Sequence, residues 1–266
     1  MIPPDVAFAL LINRTSAYYE ANPPAYMTYT EHTRVSVASL GRAQEINRSV
    51  AVRVADNYAV MRDLPNGGTR VGQAFPIVAY FDPLSAFGFS WFANLKNVNI
   101  TVERGQPLTL DIPEADPSVD STVVYNSFWA ARYAPDSTDD ALHLLIDPTA
   151  RVGNSYYPAD VVEDPASKLP SHIRMNVNGS DESISLDYKV IDGHWVIVHG
   201  QWGGTEHAVM MTFKVLADVT FDDIAFPTEA PDPRLAGTPA PTPAPSGEPA
   251  ATPEASPAAT PSSGSW

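Results

Sequence analysis

The sequence predicts a mainly β chain with few helices (α+β), built on an antiparallel sheet or open barrel. Three observations carry that prediction. Long segments alternate with a period of two, as half-buried strands do. They are joined by short turn signals with no helical crossovers between them, which excludes a βαβ order. One helical period stands at the N-terminus, ahead of the strands.

The elements follow in order. Pro3 and Pro4 suit a first helical turn. Val6, Leu10, Asn13 and Ala17 then share one face, beside Phe8, Leu11 and Ile12. Asn22-Pro23-Pro24 ends this helix. From Tyr26 to Val37 the period becomes two, with Met27, Tyr29, Glu31, Thr33 and Val35 on one side. Asn47 to Tyr58 repeats it, with Val50, Val52 and Val54 in phase. Leu64-Pro65-Asn66-Gly67-Gly68 reads as a turn. Pro76 to Phe81 reads as a short strand, and Pro83 to Asn94 as a helical or aromatic insertion. Further strands are expected at 98–103, 108–112, 122–133, 141–146, 171–177, 183–191, 194–201 and 206–215, with a last short piece at 219–226.

Residues 183–215 are the most informative. Ile184, Leu186, Tyr188 and Val190 alternate with polar residues up to Asp192-Gly193, a type I′ hairpin signal. A two-residue loop there pairs Val190 with Trp195, Tyr188 with Ile197 and Leu186 with His199. Trp202-Gly203-Gly204 reads as the next turn. A three-residue loop there brings His207, Val209, Met211, Phe213 and Val215 to the same apolar face, and burial favours that register. His199 and His207 then become cross-strand neighbours at a cavity mouth, or two half-exposed histidines at a strand end. No third ligand at metal spacing accompanies them, and no metal or cofactor is expected.

Composition bounds the function. Sixteen basic residues stand against thirty-one acidic ones, for a formal net charge of −15. That argues against nucleic acid and anionic lipid head groups, which basic side chains bind. There is no cysteine, so disulfides, thiol catalysis and Cys-ligated metals are excluded. No nucleophile elbow, P-loop or dinucleotide fingerprint appears, and adjacent acidic pairs such as Asp139-Asp140 point to opposite faces if extended. The expectation is therefore a protein that is not an enzyme. No run is long and apolar enough for a transmembrane helix. Met1-Ile-Pro-Pro-Asp5 lacks the basic start of a secretion signal.

The boundary read from composition lies near Phe226. Residues 1–226 form the β domain. Residues 227–266 form a Pro/Ala/Thr/Ser-rich tail, in which prolines recur from Pro227 to Pro261 with no apolar pattern. Such a segment buries too little surface to offset its ordering entropy and reads as disordered.

Several phrases resemble one known group. The opening helix, the strand Tyr26-Met27-Thr28-Tyr29-Thr30, the segment Leu144-Leu145-Ile146-Asp147-Pro148 and the hairpin Tyr188-Lys189-Val190-Ile191-Asp192-Gly193-His194-Trp195 resemble the LolA-like superfamily. That group includes periplasmic lipoprotein carriers, RseB-type stress sensors and LppX-like lipoproteins. The resemblance spans roughly residues 5–226 and implies a strongly curved antiparallel sheet, an incomplete β-barrel lidded by helices over an apolar cavity. It implies an extracytoplasmic envelope protein, which would require a leader to have been removed. It implies binding of a lipid or lipoprotein acyl chain, or alternatively a sensory module with an envelope protein partner. No residue role is carried over from the group. The cavity candidates come from the pattern: Tyr29, Leu186, Tyr188, Val190, Trp195, Ile197, His199, His207, Val209, Met211 and Phe213.

Overall fold

The computed structural model describes residues 2–37, 41–73, 79, 99–101, 109–111, 122–124, 129–148, 156–177, 179–208 and 211–237. One helix, α1 (Pro4–Ala21), opens the chain. The strands of the first half are β1 (Tyr26–Val37), β2 (Arg42–Arg53), β3 (Tyr58–Asp63), β4 (Thr69–Gln73), β5 (Asn99–Thr101), β6 (Thr109–Asp111) and β7 (Thr122–Val124). Those of the second half are β8 (Trp129–Tyr133), β9 (His143–Pro148), β10 (Tyr156–Glu163), β11 (Pro170–Val177), β12 (Ser183–Ile191), β13 (His194–Ala208) and β14 (Met211–Ala225). Eleven strands form one antiparallel sheet in the order β4-β3-β2-β1-β14-β13-β12-β11-β10-β9-β8, and β5-β6-β7 form a separate sheet. The large sheet does not close, because β4 and β8 are both edges. The expected class, mainly β with an open antiparallel sheet and an N-terminal helix, is the one observed.

The sheet must curl. Laid flat, eleven strands would span about 48 Å at the usual strand spacing. Yet Val50, Val52 and Ala59 from β2 and β3 share one core with Leu144 and Ile146 from β9. An 18-residue helix, about 27 Å long, completes that core with Phe8, Leu11 and Ile12. Helix α1 is tied to the β8 edge and to a sheet corner. The Asp5 carboxylate accepts from the Ala131 amide at 2.8 Å, which blocks part of that open edge. Arg14 Nη2 donates to the buried Glu163 carboxylate at 2.6 Å, and Lys168 Nζ lies 3.7 Å from its other oxygen. Glu163 is thus a buried charge with two cationic partners, the condition under which burial is tolerated.

Three expectations change here. The strand expected over 47–58 is interrupted. A single 3₁₀ turn at Val54–Asp56 and Asn57 at φ 52° swing the chain into β3. The turn expected at Trp202-Gly203-Gly204 does not exist: β13 runs through it to Ala208 and pairs Ala208 with Met211. The boundary near Phe226 falls too early. The chain returns across β3, where Leu235 is fully buried in a short 3₁₀ turn (Pro233–Leu235). Arg53 Nη1 donates to the carbonyls of Leu235 and Gly237 at 3.0 Å each, while its other face holds Asp56 at 2.7 Å. One leucine and two backbone carbonyls anchor a segment whose prolines read as tail. The expected strand at 76–81, apart from Ala79, the insertion at 83–94 and residues 238–266 lie outside the described residues.

Candidate functional site

The two faces of the large sheet are chemically different, and strand alternation separates them. The inner face is apolar. One cross-strand row runs Leu144, Val161, Ile173, Leu186, Gly200, Val219, Thr33 and Ile46. A neighbouring patch holds Tyr29, Phe221, Tyr188, Trp195 and Ile197, all buried. The Tyr188 and Trp195 rings stack at 4.0 Å with planes 4° apart, and Tyr29 meets Phe221 edge-on at 5.3 Å. The Trp195 indole N–H donates to the Pro170 carbonyl at 2.8 Å. Such donors need a partner once buried, and this one has it.

Two hydroxyls on this side lack one. The oxygens of Tyr188 and Ser16 are sealed from solvent with no hydrogen-bond partner among the described residues. Burial, and next Asp187, push the Tyr188 phenol far above its ordinary range, so it stays a neutral donor. Tyr29 is pushed up likewise by burial and then by Glu31. An orphaned buried hydroxyl costs about 1–3 kcal/mol.

Beyond Tyr29 the inner face turns charged. Glu31 accepts from Thr33 at 2.8 Å and lies 3.5 Å from Arg48, which donates to Asp63 at 3.1 Å; Arg70 reaches the same Asp63 oxygen at 3.2 Å. Partial desolvation raises Asp63, but Arg70 and Arg48 outweigh it and hold the carboxyl below its ordinary value.

The outer face carries a row of histidines. Register places His143, Val162, His172, Asp187, His199, Thr220, His32 and Asn47 side by side on eight successive strands. Carboxylates link them. Asp187 lies 2.6 Å from His172 Nδ1 and 2.8 Å from His199 Nδ1; His199 Nε2 lies 3.1 Å from Asp218. His143 similarly sits between Asp136 at 2.6 Å and Asp160 at 3.1 Å. Partial burial lowers His199, but Asp187 and then Asp218 prevail and raise it above its ordinary value. Partial burial raises Asp187, yet His172 and His199 hold it below its own. No group of His, Cys, Asp or Glu among the described residues has an arrangement that could hold a metal ion.

The predicted cavity residues therefore divide. Tyr29, Leu186, Tyr188, Trp195 and Ile197 share the inner core. Phe213, half-buried, lies in the alternation of Val219 and Phe221. Val190 has the right parity but sits at the hairpin end, 39% exposed. His199 moves to the opposite face. Tyr188 pairs with Ile197 as expected, but Asp187, not Leu186, pairs with His199, because a bulge adds Val198. One extra residue reverses every side chain that follows. Within the bulge the Ile197 amide donates to the Ala79 carbonyl at 2.7 Å. His207 cannot neighbour His199. Both lie on β13, eight positions and about 27 Å apart, and His207 pairs with Thr212. Val209 lies outside the described residues, and Met211 opens β14 opposite Ala208.

Sequence reasoning missed the histidine row, since its members lie far apart along the chain. The alternation of Ser185, Asp187 and Lys189 was visible, but only register sets a partner beside each.

No family model matches the chain, and no curated protein matches it. Solved structures do. The chain is similar to a LolA superfamily protein from Nitrosomonas europaea at 9% identity, covering 86% of this chain and 97% of that one, with a TM-score of 0.39. A DUF1329 family protein from Desulfovibrio piger matches at 9% identity over 84% and 93%, with a TM-score of 0.41. A Vibrio parahaemolyticus domain named for outer membrane lipoprotein sorting matches at 10% identity over 86% and 95%, with a TM-score of 0.41.

Proposed function

We propose that this protein binds an amphiphile, a lipid or a protein-linked acyl chain, on the apolar inner face of its open sheet, without catalysing a reaction. The observation that carries this reading is the pair of orphaned hydroxyls, Tyr188 and Ser16, the first of them within the buried aromatic patch of the inner face. A folded chain leaves few buried donors unpaired, and a ligand's carbonyl or ester oxygen would pair with the Tyr188 phenol. The nearby Tyr188–Trp195 stack and the Tyr29–Phe221 contact provide the aromatic surface against which an alkyl chain packs. A place outside the cytoplasm, in the cell envelope, follows from the resemblance of the sequence phrases; no helix among the described residues is long and apolar enough to cross a membrane.

Native mass spectrometry of the purified protein, followed by titration with a fluorescent fatty acid, tests it. The expected result is a bound apolar species or saturable uptake. Tyr188→Phe should weaken uptake about fivefold, the equivalent of one neutral hydrogen bond of ~1 kcal/mol. A protein that carries no apolar species and takes up no fatty acid overturns the proposal.

A further inference from the structure

The outer face contains a device that the binding reading does not use. His199 presents both ring nitrogens to carboxylate oxygens: Nδ1 to Asp187 at 2.8 Å and Nε2 to Asp218 at 3.1 Å. A neutral imidazole has one N–H and one lone pair, so it can satisfy only one of these contacts. The other would set a lone pair against an anionic oxygen. Only the imidazolium donates to both, and both bonds are then charge-assisted. Its side chain is 34% exposed, so protons exchange with solvent directly.

The position of His199 gives its proton a structural consequence. It is the first residue after the bulge on β13. Before the bulge, Ile197 faces inward opposite Tyr188; after it, His199 faces outward opposite Asp187. The two bonds of His199 clamp β13 to β12 on one side and to β14 on the other, where the chain changes phase. Asp187 precedes Tyr188, whose ring stacks on Trp195. The outer proton and the inner aromatic patch are thus joined by one peptide bond and one bulge.

We propose that His199 is a proton-operated clamp: protonated, it locks the bulge that turns Ile197 inward, and deprotonated, it releases that bulge and loosens the aromatic patch beneath. Charged and titratable groups flank it on both sides, and Arg34 of β1 stands opposite Asp218 in register. Asp187 lies on β12, with His172 of β11 on its far oxygen. Asp218 lies on β14, where Gln201 of β13 also donates at 3.2 Å. Beyond Thr220, His32 of β1 lies 3.6 Å from Asp222. The two side chains that His199 contacts are both carboxylates, so its direct contacts favour the proton.

The test is a pH titration of the full chain by NMR, following the ring nitrogens of His199 and the indole N–H of Trp195 together. At about pH 7 both His199 nitrogens should show the protonated signature, with a midpoint above that of a free histidine. The Trp195 signal should shift with the same midpoint. In Asp218→Asn, which retains the Asp187 contact, both midpoints should fall together. In His199→Gln the Trp195 shift should vanish over that range. A His199 that is neutral at about pH 7, or a Trp195 signal indifferent to His199 titration, overturns the proposal. If His199→Gln does not fold, the Asp218→Asn comparison decides alone.

Discussion

Replacing Trp195 by Phe separates the two kinds of buried polar group on the inner face. Trp195 is 1% exposed and its indole N–H satisfies the Pro170 carbonyl at 2.8 Å. A phenyl ring keeps the stacking partner on Tyr188, worth about 0.5–1.5 kcal/mol, and loses the donor. The stranded carbonyl costs about 1–3 kcal/mol. The missing half of the indole adds a cavity term, on the order of 1 kcal/mol for a change much smaller than truncation to Ala. The sum is ~2–4 kcal/mol. With a urea dependence of about 2 kcal/mol per molar, the unfolding midpoint should fall by roughly 1–2 M. Tyr188→Phe, on the ring stacked against Trp195, should behave oppositely, since its hydroxyl has no partner among the described residues. Removing it strands nothing and relieves a desolvation cost, so the midpoint should hold or rise. Urea unfolding followed by far-UV circular dichroism, with the slope checked against wild type, reads both. A Trp195→Phe loss under 1 kcal/mol, or an equal loss in Tyr188→Phe, would refute the account of this face.

The other predictions follow from the same structure. Leu235→Ala should lower the thermal midpoint measurably, with ~2–5 kcal/mol as the range for truncating a buried leucine, because Leu235 is buried beyond Phe226; unchanged melting would return the boundary to 226. Val190→Lys should be near neutral, whereas Leu186→Lys, on the same alternation but buried, should prevent stable folding, as judged by soluble yield and melting. His199, raised on folding, contributes stability that is complete below about pH 6.5 and is lost as pH rises through its folded value. The urea midpoint should therefore fall between about pH 6 and 8, and this fall should shrink in His199→Gln. Asp187, lowered on folding, has the opposite sign: its contribution is present above the ordinary carboxylate value and disappears as acid protonates it, so Asp187→Asn should flatten the acid limb of the same curve.

Local rules were enough for much of the chain. Met27 and Tyr29 alternate inward along Tyr26–Val37 as their period requires. Asp192-Gly193 makes its turn with both residues at positive φ, 50° and 80°, which is what that dipeptide is selected for. The helix bounds follow from Pro3-Pro4 and Asn22-Pro23. These are decisions that each segment takes with its immediate neighbours.

The failures share a different cause. Gly203-Gly204 has the composition of a turn, but within β13 the glycines are spaces. A Cβ at Gly204 would come within 3.3 Å of Glu182, whose carboxylate accepts from Trp202 at 2.9 Å. The strands expected from period skip β10, which holds Pro158; the β9–β10 ladder begins only at Asp160, so the missing N–H interrupts nothing there. Leu235 looks like one apolar residue in a tail until Arg53, 182 positions earlier, supplies the donors that hold it. What the sequence by itself determined was the open antiparallel sheet, its N-terminal helix and the inward alternation of Tyr29, Leu186, Tyr188 and Trp195, because period and turn chemistry are local. Only the tertiary structure decided which face His199 occupies. A bulge inserts one residue at a point that no periodicity marks, and whether that insertion is favourable depends on carboxylates from two other strands.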